Sequence, residues 1–183
     1  MSNANNKYFK SDLCLKLATL IILGIILTGC GKKYPDLPTV KQVDIQKYQG
    51  TWYEIARFEH FFEKGCKNVT ATYELKNDGD LKVINRCTMI ENNDFNEATG
   101  VAYAVDDTNS KLKVSFFRPF YGDYYIIDLA DDYSYAVVGA PSRELLWILS
   151  RTKTIDTSIK NKILDKLPTL GFDPDKFIWT IQE

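Results

Sequence analysis

Four cysteines and a single histidine carry most of the reactive chemistry that this chain could offer. Cys66 and Cys87 flank "NVTATYELKNDGDLKVINR", two alternating runs joined at "NDGD", which is a strong hairpin signal. Pairing across that turn brings Cys87 opposite the stretch just after Cys66, so an even pair in an oxidising compartment is expected to form a disulfide. Two free thiols, one of them reactive, are the competing reading. His60 is the only histidine, which excludes a multi-histidine metal site and leaves any Ser-His-Asp set resting on it alone. It lies beside Phe61 and Phe62 in a connection and reads as partly exposed. No glycine-rich phosphate loop and no "GxSxG" elbow is present, and the acidic run "ENNDFNE" (91–97) reads as a solvated loop. Neither a catalytic set nor a metal or cofactor site is expected.

The fate of the other two cysteines is set by the start of the chain. Lys7, Lys10 and Lys16 precede an 11-residue apolar run, "LATLIILGIIL", which is about half the 20 residues a membrane-spanning helix needs. Basic residues before it and small residues after it mark a secretory signal. The run ends in "LTGC", Leu27 to Cys30. This resembles the lipobox of bacterial lipoproteins, which implies removal of residues 1–29 together with Cys14, and acylation of Cys30 with palmitate-type chains. In Gram-negative bacteria, Gly31 rather than aspartate after the cysteine implies sorting to the outer membrane, here with the domain facing the periplasm. A single acyl chain holds only marginally, whereas a multiply acylated cysteine anchors firmly. Residues 30–43 are then a polar, proline-bearing tether.

Cleavage leaves 154 residues, enough for one domain (44–183) with a sizeable core. Three lysines and Asp12 leave with the signal, so 23 basic and 24 acidic side chains become 20 and 23, a net charge of −3. No basic stripe remains, which argues against a nucleic-acid partner. The body reads as strands near 51–58, 68–76, 81–89, 98–106, 111–117, 123–129, 134–140 and 144–151, separated by turn chemistry such as "DDTNS" and "ADDYS". After Arg151 the period changes. Ile159, Ile163, Leu164 and Leu167 recur at helical spacing, Asp156 serves as N-cap, Pro168 and Gly171 close the helix, and "KFIWT" is a last short strand. The predicted fold is all-β with one C-terminal helix: an eight-stranded antiparallel up-and-down barrel, whose closure removes exposed edges and whose width suits one small ligand.

Alternation assigns the inner face. Lys111 and Lys113 mark the wet side, leaving Leu112, Val114 and Phe116 inside; Lys82 and Arg86 leave Leu81, Val83, Asn85 and Cys87 inside. Asp128 places Ile126 outside and Tyr125, Ile127 and Leu129 inside, and "ELLWILSR" places Leu145, Trp147 and Leu149 inside. Ala56, Ala102 and Val137 complete the expected lining. Small residues among large aromatics, in a chain 13% aromatic, suit walls that leave room.

"GTWY" (50–53), "DDY" (131–133) and "LSRT" with Arg151 resemble, in order, the three characteristic regions of lipocalins. "YEIARF", "VSFFRPFYGDY" and "LLWILSRT" resemble the bacterial, apolipoprotein D-like branch, and the likeness covers residues 44–183. It implies that Trp52 lies across the closed base with the Arg151 guanidinium over its ring, that Gly50 permits the tight approach to the first strand, and that Tyr133 sits in a structural turn. Asp131 and Asp132 depart from the usual pattern there, which leaves that turn's geometry open. The family also implies binding, storage or transport of a lipophilic ligand, a fatty acid or lysophospholipid, rather than catalysis. Expected ligand-binding positions are Glu54, Ala56, Tyr73, Val83, Asn85, Ala102, Val114, Phe116, Tyr125, Ile127, Val137 and Trp147. Glu54, Asn85, Tyr73, Tyr103 and Tyr125 are the candidates for polar head-group or water contacts. A lipocalin-fold enzyme using a reactive thiol and a ligand-free envelope scaffold are the alternatives; oligomeric state cannot be read.

Overall fold

The computed structural model describes residues 34–183; the signal segment, the lipobox and Cys30 lie outside the described residues. A four-residue helix, α1 (Ile45–Tyr48), leads into β1 (Gly50–Phe58). Then come β2 (Cys66–Leu75), β3 (Leu81–Met89), β4 (Phe95–Ala104), β5 (Lys111–Phe117), β6 (Phe120–Leu129), β7 (Tyr135–Gly139) and β8 (Leu146–Ser150). Each strand pairs antiparallel with the next. Pairings of β1 with both β2 (Gly50 with Tyr73) and β8 (Tyr53 with Ser150) close the cylinder. Helix α2 (Thr157–Lys166) comes after β8, its N-cap Asp156 accepting from the Ser158 amide at 2.7 Å, and Gly171 ends the helical segment at φ +84°. The last strand, β9 (Phe177–Trp179), pairs with the far half of β1, where the β1–β2 register has ended.

The base is plugged as the "GTWY" stretch implies. Trp52 is fully buried, its indole N–H donating to the Tyr48 carbonyl at 2.8 Å, and the Arg151 guanidinium lies 3.7 Å from the ring centroid. Arg151 also donates to the carbonyls of Lys47 (2.7 Å), Thr51 (3.0 Å) and Tyr48 (3.2 Å), binding α1 and β1 to the end of β8. Gly50 sits at φ +89°, a conformation that side chains with a Cβ rarely adopt, beneath that same guanidinium. In the 131–133 turn Tyr133 has φ +60°, and its hydroxyl accepts from the Asp44 amide at 2.8 Å.

Two cores result, one on each face of the barrel wall. The inner one joins Tyr48, Trp52, Leu81, Val83, Ala102, Leu112, Ile126, Ala136, Val138 and Leu149. The outer one packs Ile55, Ala56, Phe58, Ile127, Tyr135, Val137, Leu146 and Ile148 beneath Ile163 and Leu167 of the helical segment. This outer core corrects several alternation assignments. Ala56, Ile127 and Val137 face the helix, not the barrel interior. In β1 a register shift between Glu54 and Ala56 breaks the parity. In β6 a shift between Ile126 and Asp128 puts Ile126 inside and turns Ile127 outward. Asp128 is outward as assumed, 3.3 Å from Lys166 of α2, but the bulge makes it a false guide to residues before it. Tyr125 consequently lies outside, under the Lys111 ammonium, and Tyr103 is an exposed residue packed on Tyr121.

Candidate functional site

The upper half of the barrel is hollow. A cavity of about 480 Å³ opens at the end that carries the β1–β2, β5–β6 and β7–β8 connections. Val69, Ala71, Val83, Val114, Leu145 and Leu149 give it apolar walls, and Phe61, Phe62, Phe116, Phe120 and Tyr121 stand at the rim. A side hollow of about 580 Å³ shares Phe61, Phe62, Glu63, Val69, Asn85 and Phe116 and runs towards Cys66, Cys87 and Met89.

Seven of the sequence-predicted positions meet here: Glu54, Tyr73, Val83, Asn85, Val114, Phe116 and Trp147. Ala102 faces inward as assigned but is sealed in the filled lower half with Leu112, below the cavity, because Trp52 and Tyr48 occupy the base. Ala56, Tyr125, Ile127 and Val137 belong to the outer face and cannot line it.

The floor is a tyrosine triad. Tyr124 shares hydrogen bonds of 2.8 Å with the hydroxyls of both Tyr48 and Tyr73. Burial drives all three phenols above their ordinary range, so the floor is uncharged at physiological pH. Alternation missed Tyr124 because the bulge at 126–128 reverses its parity. It missed Tyr48 because that residue precedes the barrel on α1.

One wall holds a buried ionic cluster that sequence did not foretell as a unit. Glu54 is 2% exposed; its Oε1 accepts from Arg57 Nη1 at 2.6 Å and from the Thr180 hydroxyl at 2.5 Å. Arg57 Nη2 donates to the Glu63 carbonyl at 2.8 Å, while its Nε lies 3.8 Å from the Glu63 carboxylate. Burial first, and the Glu63 charge second, push the Glu54 carboxyl up to about 8 despite Arg57. Burial is the largest single influence on Glu63 and raises it, but His60, the Trp147 indole at 3.3 Å and Glu54 together hold that carboxyl below its ordinary value. His60 is therefore not the partly exposed residue expected. It is buried, stacked on Phe62 with centroids 3.8 Å apart, and its Nε2 lies 3.1 Å from Glu63. The signal that could have found this cluster is the 3-residue spacing of Glu54, Arg57, His60 and Glu63, unusual within a strand and its following turn. Among the described residues, the one polar lining atom left over is the Asn85 side-chain oxygen, which is buried without a partner.

Cys66 and Cys87 form a disulfide, with Cα atoms 5.6 Å apart, tying the start of β2 to β3 beside Val69. No group of three His, Cys, Asp or Glu side chains among the described residues could hold a metal ion.

Residues 43–182 match the family model described as a lipocalin-like domain. The outer membrane lipoprotein Blc of Escherichia coli K12 is 43% identical over 171 residues, 92% of this chain and 97% of that protein. Blc of Vibrio cholerae is 41% identical over 166 residues, 90% and 97% of the two chains. Mouse apolipoprotein D is 31% identical over 181 residues, covering 91% and 93%. Among solved structures, the cockroach allergen Per a 4 superposes with a TM-score of 0.65 at 22% identity, over 82% of this chain and 96% of that one.

Proposed function

The chain belongs to the lipocalin family, and from that premise we propose that it is a lipid-anchored carrier of the bacterial outer membrane that holds one amphipathic lipid, a fatty acid or lysophospholipid. The observation that carries the reading is the cavity itself: about 480 Å³, apolar-walled, shut below by Trp52 and the tyrosine triad and open above. Such a site gains affinity from apolar area at about 25 cal/mol per Å², which favours an acyl chain and gives loose selectivity between chains. The polar end would lie near Asn85, whose unpartnered oxygen accepts a hydrogen bond from a hydroxyl, ammonium or water. Glu54 and Glu63, one protonated and one charged, make the wall tolerant of a cationic or zwitterionic head.

Anchorage at Cys30, and with it residence in the outer membrane, is supported by the lipobox and by the Blc relatives, which are named as outer membrane lipoproteins. Binding rather than catalysis is supported by the bridge between Cys66 and Cys87, which removes the thiol nucleophile that the enzyme reading needs. Native mass spectrometry of the protein extracted from its own envelope tests the proposal. A co-purifying lipid of one chain supports it, and an empty barrel that also fails to take up added oleate or lysophosphatidylethanolamine defeats it.

A further inference from the structure

At the open end of the barrel the chain exposes a ring of large apolar side chains that the core does not explain. Phe61 is 90% exposed, Phe117 75%, Phe120 71% and Phe95 64%. Phe61 lies in the β1–β2 connection, and Phe95, Phe117 and Phe120 are the strand residues that flank the β3–β4 and β5–β6 connections, all at the same end. An exposed apolar cluster of this kind, with charged neighbours of both signs (Lys64, Glu91, Asp94, Arg118), marks a contact surface.

A second observation says what covers it. The segment before β1 begins at this same end: Arg143, in the β7–β8 turn, donates to the carbonyls of Pro35 at 2.7 Å and Asp36 at 3.0 Å. From there the chain descends the outside of the barrel. The Val40 amide donates to Ile126, and the Val43 amide to Thr108 in the β4–β5 turn at the closed end. Five residue steps separate Cys30 from Pro35, a reach of at most about 18 Å. The nine residues of β1 run about 30 Å from base to rim. An acylated Cys30 can therefore hold the rim against a leaflet but cannot reach past the barrel to its base.

We propose that the open end docks on the leaflet that holds the anchor, with Phe61, Phe95, Phe117 and Phe120 seated among the lipid head groups, so that the cavity opens directly onto the membrane. This rests on the anchor reading of Cys30. A lipid could then pass between leaflet and cavity without crossing water, and the apolar rim is covered without a protein partner.

The test uses the full lipidated protein in phosphatidylethanolamine–phosphatidylglycerol vesicles containing acyl-brominated phospholipid, which quenches tryptophan on contact. Phe117→Trp at the rim and Asn77→Trp at the closed end are compared with the unsubstituted protein, in which a captured chain quenches Trp147 alike in every case. Loss of the added emission for Phe117→Trp but not for Asn77→Trp is the expected result. Quenching at Asn77→Trp, or at neither position, overturns the proposal, the latter pointing to a rim covered by another copy or left in water. Mass spectrometry of the mature N-terminal peptide decides the anchor separately: an unacylated Cys30 defeats the anchor reading, whatever the quenching shows.

Discussion

Replacing Arg151 by methionine isolates the plug at the base. The side chain keeps its apolar stem but loses a guanidinium 3.7 Å from the Trp52 centroid and its hydrogen bonds to three carbonyls. The cation–π contact is worth about 0.5–2 kcal/mol. The carbonyls of Lys47 and Thr51 are in exposed stretches, where water replaces the lost donor, and that of Tyr48 keeps its bond from the Trp52 indole. The hydrogen bonds therefore add only about 1 kcal/mol between them. A total of about 1.5–3 kcal/mol corresponds to a fall in Tm of about 3–12 °C for a domain of this size. Arg151→Lys should lose less, about 1 kcal/mol, because an ammonium keeps a charge over the ring but cannot span three carbonyls with a planar fork. Calorimetry on both variants, paired with a lipid-binding titration, is the assay. Affinity should not change, since the plug lies below the tyrosine floor. A Tm within about 1 °C of the parent, far below the range just derived, or a lowered affinity at unchanged Tm, would refute the separation of base from cavity.

Two other outcomes are expected from the cavity wall. Glu54 has a folded pKa of about 8, raised above its unfolded value, so the folded state holds the extra proton between about 4.5 and 8 and stability falls as pH rises through that window. Glu63 acts oppositely: its lowered pKa contributes stability that is present above its unfolded value and is lost as pH falls below that value through the folded one. Glu54→Gln should therefore flatten the decline of Tm between pH 5 and pH 8, measured by thermal unfolding; an unaltered slope would contradict the assignment. Val114→Trp should put an indole into the cavity without touching the plug and weaken lipid uptake by about tenfold or more, about 1.4 kcal/mol, while circular dichroism stays that of the parent. Unchanged uptake would mean that the lipid binds elsewhere.

Much of the barrel was legible because its signals are local. "NDGD" places a turn with Gly79 at φ +89° and the Lys76 amide bonded to Asp80, and the β2 and β3 runs on either side pair in the register that the alternation requires. Where one face of a strand meets water, as in β3 and β5, lysines marked it and Val83, Asn85, Val114 and Phe116 fell on the cavity as expected. The reading failed where both faces are buried. All five residues of β7 are buried, so nothing in "YAVVG" distinguishes Val137, which lies under the helix, from Ala136 and Val138, which lie inside.

Bulges were equally silent. The shifts at Glu54/Ala56 and Ile126/Asp128 add no special residue to the chain, yet each reverses the facing of the strand residues on one side of it. The ionic cluster was hidden for another reason. Glu54, Arg57, His60 and Glu63 share one short window, but nothing in it says that a strand and the turn after it fold these side chains onto one another, and Thr180, which completes the set, lies 126 residues from Glu54.

By itself, then, the order of residues determined most of the strands, their turns, the C-terminal helix and the hairpin that brings Cys66 and Cys87 together, because alternation, turn chemistry and spacing act over neighbouring residues; Trp52 and Arg151, far apart in the chain, were paired only through the family resemblance. Only the tertiary structure decided how deep the interior is filled, which carboxyl keeps its proton, and that the tether and the phenylalanine ring share one end. Those depend on the distances between segments far apart in the chain, and on which of them exclude water from one another.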